Sequence, residues 1–292
     1  MAVPDISLFN TLAFGLDGTT SSLQQVEQNI ATGKQVNQPS DNPLAYASSQ
    51  VLGAQESAVS NDILLAQQVQ AQLSTASNAL SSVTNSINSA LSIATQGSDA
   101  SINTTEMATL GTQVQSILQQ VLGAANSQYG GSHLFAGNQV QSAPYDINGN
   151  YSGDNGSNFV TFSDGTKVQT NLDGSAIFGT STTGLIGTLT ALASALSSGN
   201  KTAVAAALPQ LQANLASIGA ANGSLGISLQ SVSTVLNNAT NQSTSLQASI
   251  SNLVDTDVPQ AAAQEQQVLL QQQALISLGS SLGKLPLINI LA

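Results

Sequence analysis

The sequence predicts a mainly α protein with a small β insertion. The expected architecture is a long antiparallel helical bundle, of coiled-coil type, formed by the N- and C-terminal regions and carrying a central β-rich outer domain. Three observations predict it. Apolar residues recur in steps of three and four through both the first and the last third of the chain, the spacing that keeps one stripe of a helix against a partner. Most aromatic residues, together with a dense cluster of turn residues, are gathered instead in one central stretch, "YGGSHLFAGNQVQSAPYDINGNYSGDNGSNFVTFSDGTKV", residues 129 to 168. Charge is scarce, at 7% of 292 residues against about 25% in an ordinary globular domain. The helices must therefore be held by apolar seams and by amide and hydroxyl surfaces rather than by ion-pair networks.

The first element expected is a terminal helix over residues 6 to 30, with Leu16, Leu23, Val26 and Ile30 at helical spacing. It is rich in Ser and Gln and has no large core to join, so it is a marginal helix until a partner buries its apolar face. Pro39 and Pro43 then forbid a continuous helix, and Asp41 is positioned to cap the next one. The long seam that follows runs from Leu52 through Val59, Ala66, Val69, Leu73, Ala76, Leu80, Val83, Ile87 and Ala90 to Ala94, broken only by Gln55 and Asp62. After the turn "QGSDASIN", Met107, Leu110, Val114, Ile117, Val121 and Ala124 mark a second helix from about 104 to 127.

The central stretch predicts a hairpin. In "NFVTFSDGTKVQTNL" two alternating runs flank Asp164 and Gly165, a turn signal between strands. A short helix over about 183 to 197 returns the chain to the bundle. The last-third seam then reads Leu211, Leu215, Ile218, Leu225, Leu229, Val232, Leu236, Ala239, Leu246, Ile250 and Leu253, with Asn222 and Ser243 as polar exceptions. Gly219, Gly223 and Gly226 each cost about 1 kcal/mol in a helix interior, so the firm part of this helix is expected after Leu225. The final helix carries Val268, Leu275 and Leu282 on its seam. Five segments result: 1–42 and 255–292 as terminal helices, 43–128 and 181–254 as the two parts of the helical core, and 129–180 as the outer domain.

Composition excludes several function classes. The net charge of -11 and pI near 4.1 repel phosphate backbones and anionic membrane surfaces, so neither nucleic acid nor membrane is an expected partner. No apolar run approaches the roughly 18 residues of a membrane span, and the start of the chain lacks the basic region of a cleaved secretory signal. Cysteine is absent, which removes disulfides, thiolate catalysis and thiolate metal sites. His133 is the sole histidine, so no multi-histidine metal site can be built within one chain and no Ser-His-Asp triad is plausible without it; its expected role is an exposed or turn-packed structural one. Asp146, Asp154, Asp164 and Asp173 do not have EF-hand spacing, and turn chemistry accounts for them. The glycines of "YGGSHLFAG" and "SLGSSLGKLP" follow no strand in a phosphate-loop pattern. No catalytic residue, cofactor or metal is expected.

Four stretches in order resemble the bacterial flagellin superfamily, and its hook-filament junction branch in particular. "IATGKQVNQPSDNPLAYA" is similar to the family's joint between terminal and core helices, through Gly33, Lys34, Asn37, Pro39, Asp41 and Pro43. "YGGSHLFAGNQVQSAPY" is similar to the junction branch's passage into its outer domain, through Gly131, Leu134, Phe135, Ala136, Gly137, Pro144 and Tyr145. "NYSGDNGS" follows it with Tyr151, Gly153 and Asp154. "SNLVDTDVPQAAAQEQQVLLQQQALISLG" resembles the C-terminal joint and Gln-rich helix, with Asp255 and Asp257 in its acidic positions and Pro259 in the first turn after Asp257.

The resemblance implies a non-enzymatic, extracellular flagellar subunit exported without a cleaved signal peptide. Its terminal helices would assemble with copies of itself, a neighbouring hook-associated protein and flagellin. The export apparatus and an export chaperone at the C-terminal helix are the other implied partners. A flagellin proper, or an adhesin on a coiled-coil stalk, are the alternative readings. An adhesin has no need of the two joints near residues 40 and 256.

Overall fold

A computed structural model describes residues 4–282, and the side chains of residues 7–281. In chain order the elements are α1 (Pro4–Thr32), α2 (Pro43–Gly97), α3 (Thr104–Ala125), β1 (Gln128–Tyr129), β2 (Ser132–His133), β3 (Phe159–Thr161), β4 (Lys167–Gln169), α4 (Gly174–Phe178), α5 (Gly184–Ser197), α6 (Lys201–Val254) and α7 (Val258–Leu282). They form two compact units. One combines residues up to Ser57 with those from Gln242 onward, and the other is Ala58–Asn241. Helices α2 and α6 contribute residues to both. As expected from the sequence, the fold is mainly helical, with α2 and α6 antiparallel and only small two-stranded sheets.

In the unit Ala58–Asn241 the seams read from the sequence are the core. Ala66, Leu73, Leu80, Val83 and Ile87 of α2 are sealed from solvent, as are Met107, Val114 and Val121 of α3 and Val204, Leu211, Ile218 and Val232 of α6. Each fully buried aliphatic side chain contributes about 1.5–3 kcal/mol relative to exposure. The polar seam residue Asn222 is accommodated because its side-chain oxygen accepts a hydrogen bond from Ser77 Oγ at 2.8 Å. Helix α3 packs on α5, whose Leu185, Leu189, Leu192 and Leu196 are fully enclosed. A capping box starts α3: Asn103 Oδ1 accepts the Glu106 N–H at 2.9 Å, and Glu106 Oε2 accepts the Asn103 N–H at 3.2 Å.

Helix α6 departs from expectation at its start. It begins at Lys201 and runs unbroken through Pro209, Gly219, Gly223 and Gly226. The three glycines do weaken the backbone locally, but Ile218 and Leu225 beside them, and Leu211 ahead of them, are buried, and that burial outweighs the propensity cost.

The hairpin forms where the sequence places it. Strands β3 and β4 pair antiparallel, with Val160 opposite Val168. Asp164 Oδ1 accepts the Thr166 N–H at 2.8 Å and Gly165 takes a φ of 83°. Val168 and Phe162 turn into the core while Phe159 stays 58% exposed. A second hairpin, β1 with β2, turns at Gly130 and Gly131, both at positive φ. It was not expected, although a Gly-Gly pair between two short runs is a recognised turn signal.

In the other unit α1 and α7 pack together and run antiparallel. Gly15 faces Leu275, Gly279 faces Leu12, and Gln272 Nε2 reaches Thr20 Oγ1 at 3.4 Å. Among the described residues, no helix is long and apolar enough to cross a membrane.

Candidate functional site

Three groups of residues were singled out by the sequence. The first is the joint. Gly33 ends α1 at φ 69°, and the chain from Lys34 to Val36 then lies against the end of α6. Gln35 N–H donates to Val254 O at 2.8 Å, Thr256 N–H donates to Gly33 O at 2.9 Å, and Lys34 bridges to Asp255 as an isolated antiparallel pair. Beneath this bridge Val36, Ala45 and Val254 form a small apolar core, with Tyr46, Ile250 and Leu253 packed on it. The two joint motifs, more than two hundred residues apart in sequence, are thus one structural feature of this unit.

Within the joint, Asp41 does not cap α2. Its Oδ2 accepts the backbone N–H groups of Asn37 at 2.9 Å and Gln38 at 3.0 Å, closing the Gln38–Asp41 turn that has Pro39 at its second position. These two donors hold the Asp41 carboxyl below its usual range. The cap of α2 is Asn42, whose Oδ1 accepts the Ala45 N–H at 3.1 Å, with Pro43 in the first helical position. The acidic residue is pulled back because Asn42 lies one residue nearer the helix, where Oδ1 meets the third helical N–H. Asp257 does cap α7: its Oδ1 accepts the Gln260 N–H at 3.2 Å and its carbonyl the Ala261 N–H at 2.8 Å.

The terminal helices form the second group. Val26 and Val268 are buried, Leu23, Ile30 and Leu275 are half-buried, and Leu16 is 36% exposed. The side chain of Leu282 lies outside the described residues. The pairing of α1 with α7 leaves much apolar surface in solvent: Phe9 at 67%, Phe14 at 77%, Leu270 at 66%, Leu278 at 57% and Ile276 at 56% exposed.

The third group converges on one aromatic platform in the unit Ala58–Asn241. Phe135 meets Phe178 edge-on at 5.0 Å, Tyr145 meets Phe178 at 6.1 Å, and Tyr145 and Tyr151 lie 5.1 Å apart. Tyr145 Oη donates to Gly179 O at 2.9 Å, and Tyr151 Oη donates to Asp154 O at 2.9 Å. Asn126 clasps the Tyr145 backbone from both sides, accepting its N–H at 2.9 Å and donating to its carbonyl at 3.0 Å. Asp154 Oδ1 accepts the N–H of Asn138 at 2.7 Å and of Gly156 at 2.9 Å. Leu134 and Ala136 are buried with Phe135, Pro144 is buried beside Tyr145, and Gly153 sits under the Tyr151 ring.

Gly137 shows why the motif needs its residue types: at φ 64°, a Cβ there would stand 2.1 Å from Asp154 O. His133 is buried, with its ring nitrogens 3.0 Å from Asn126 O and 2.8 Å from Gln128 Nε2. Of its two expected settings it takes the turn-packed one.

Burial, then the neighbouring Asp173 carboxylate, pushes the Tyr151 phenol up to about 12. Burial raises Tyr145 further, with Tyr151 and Asp173 adding to it. Asp173, Phe178 and Asn126 were missed as parts of this platform. The Asp-Gly-Ser run at 173 to 175, where Asp173 caps α4, was the available signal.

Residues 10–140 match the family described as the bacterial flagellin N-terminal helical region. That stretch of the chain is similar to a flagellin N-terminal helical region. It takes in most of α1, the N-terminal joint motif, α2, α3 and the platform residues up to Gly137. The chain is also similar to the flagellar hook-associated protein 3 of Salmonella typhimurium, 32% identical over 142 residues. The match covers 48% of this chain and 44% of that relative, so it spans a little under half the relative's length. Among solved structures, Bacillus cereus FlgL superposes with a TM-score of 0.60 at 23% identity, over 69% of this chain and 97% of that one. The flagellar junction protein FlgL of Legionella pneumophila does so at 0.59 and 15%, over 71% and 100%. At these identities the superpositions establish a shared fold.

Proposed function

We propose that this chain is a structural, non-enzymatic subunit of the bacterial flagellum that forms the junction between hook and filament. The observation that carries the proposal is the family match over residues 10–140 together with the similarity to hook-associated protein 3. The exposed Phe9, Phe14, Leu270 and Ile276 support it, because an isolated monomer gains nothing from large apolar groups in water.

In this reading the terminal helices complete their burial only against neighbours, which are further copies of the chain, an adjoining hook-associated protein and flagellin. Such contacts are heterologous, one face against a different face, and generate a ring or helical array. Export precedes assembly, so an export chaperone would cover the C-terminal helix and the export apparatus would pass the chain outward, leaving it extracellular. The segment 129–180 would then face away from the axis. The corresponding divisions of the chain would be terminal segments 1–42 and 255–292 and core parts 43–128 and 181–254.

Immunogold electron microscopy of intact flagella tests this, with antibody raised to the exposed hairpin loop around Ser163–Gly165. A single band of label where hook meets filament is the expected result. Label along the whole filament would make the chain a flagellin. Absence of label from flagella, with the loop shown accessible on purified protein, would remove the flagellar reading altogether.

A further inference from the structure

The chain contains three Asn-Gly pairs, Asn148-Gly149, Asn155-Gly156 and Asn222-Gly223, and the structure treats them very differently. At such a pair the backbone nitrogen of the glycine can attack the asparagine side-chain carbonyl carbon. A C–N bond forms, the nitrogen loses its proton, and the side-chain nitrogen leaves as ammonia. The resulting succinimide takes up one water at either carbonyl, giving aspartate or isoaspartate. The reaction needs no oxidant or metal. It needs a backbone that can close the five-membered ring and a base to take the glycine amide proton.

Asn222 is poorly disposed on both counts. It lies inside α6, and its side-chain oxygen is engaged by Ser77 Oγ at 2.8 Å. Asn148 is exposed, but its glycine is wedged. Gly149 is buried at φ 80°, its N–H donates to Asp146 O at 3.1 Å, and its α-carbon is packed so tightly that an added Cβ would lie 2.5 Å from Ile186 Cγ2. Ring closure there would have to lift Gly149 out of the core.

Asn155 differs. Gly156 is closely packed too, but what an added Cβ there would meet is the exposed side chain of Asn138 and not the core, and its carbonyl accepts from Asn171 Nδ2 at 2.8 Å. Asn155 itself is solvent-exposed and belongs to no helix or strand, and the amide that must attack already points at a base. Gly156 N–H donates to the carboxylate Oδ1 of Asp154 at 2.9 Å. We propose that Asn155 is a site of spontaneous deamidation, with the Asp154 carboxylate accepting the Gly156 amide proton as the ring closes.

The product has a structural consequence. A new carboxylate, or an isoaspartyl backbone longer by one methylene, arises between Asp154, which ties this loop to Asn138, and Asn158, whose N–H donates to Asn171 Oδ1 at 2.6 Å. The modification therefore falls on the stretch joining the aromatic platform to the β3–β4 hairpin.

The test is peptide mass spectrometry of the purified full-length protein aged at mildly alkaline pH. The same protein aged in denaturant is the reference, since there the three pairs have equal access to solvent. In the native protein, conversion at Asn155 is expected at least about tenfold faster than at Asn148 or Asn222, and in denaturant the three should differ by much less. General-base assistance typically contributes about 10²–10⁴-fold, so Asp154→Asn, which keeps the acceptor oxygen but not its basicity, should slow Asn155 conversion by about tenfold or more. Equal or faster native conversion at Asn148 or Asn222 would overturn the assignment of the site, a result that requires no variant. A folded Asp154→Asn protein that deamidates at Asn155 as fast as the wild type would overturn the role given to the carboxylate.

Discussion

Gly137 and the two platform tyrosines carry the sharpest expectations at the scale of single residues. Gly137→Ala must combine a positive φ with a Cβ driven into Asp154 O, so it should destabilise the unit Ala58–Asn241 by about 2–4 kcal/mol. Denaturant unfolding followed by tyrosine fluorescence would measure it. A loss under about 1 kcal/mol would mean that the Asp154 loop moves aside readily. The tyrosines set an alkaline limit. Tyr151 has an ordinary value of 10.0 and a folded value of about 12, so the folded state holds the phenolic proton more tightly than the unfolded chain does. Its contribution to stability is complete below pH 10 and disappears as pH rises through about 12. Tyr145 shifts in the same direction. Unfolding free energy measured between pH 9 and 12 should therefore fall with pH, and Tyr151→Phe should flatten the slope; an unchanged slope in the variant would assign it to other groups.

Capping and helix propensity make the element-scale case, and they separate two adjacent residues that the sequence pattern confused. Asn42→Ala removes the side chain that satisfies the Ala45 N–H and should cost about 1 kcal/mol, read as faster hydrogen exchange in the first turn of α2. Asp41→Ala should leave that turn's exchange unchanged and instead free the Asn37 and Gln38 amides. In α6, Gly219, Gly223 and Gly226 each have open space where a Cβ would go, so replacing each by Ala should stabilise that helix by up to about 1 kcal/mol.

Both cases bear on how far the fold could be read from sequence. The seams were legible because burial enforces a period: Leu73, Leu80 and Ile87 are enclosed as their spacing required. The start of α6 was not, since propensity is local while the burial of Leu211 and Ile218 that overrides it is tertiary. The platform was legible as a motif but not as a geometry. Nothing in the spacing of Phe135, Tyr145 and Tyr151 says that Phe178, on α4, is the ring they share. Likewise Asp41 and Asn42 are both good caps in isolation, and only the turn from Gln38 to Asp41, with Pro39 at its second position, decides between them.

For the molecule as a whole, the distribution of charge and apolar surface argues about assembly. Only 7% of residues are charged, and screening acts on charges, so assembled material should resist moderate salt; ready dissociation by salt alone would count against apolar association. The stronger argument lies in the paired terminal helices. Phe9, Phe14 and Leu270 are each about two-thirds or more exposed, so they add little to the stability of the isolated chain, and surface substitutions of that kind typically change stability by no more than about 0.5 kcal/mol. If the proposed function is right, the same residues are buried by neighbours, and each large apolar group removed then subtracts about 1.5–3 kcal/mol from association. The triple variant Phe9→Gln, Phe14→Gln, Leu270→Gln should accordingly melt with the wild type as a monomer yet fail to sediment as assembled material or to restore motility to cells lacking the protein. A variant that melts normally and still assembles would show that these faces are not the ones neighbours cover. A variant that melts much earlier would show that the monomer itself depends on them, and would move the role of α1 and α7 from assembly to folding.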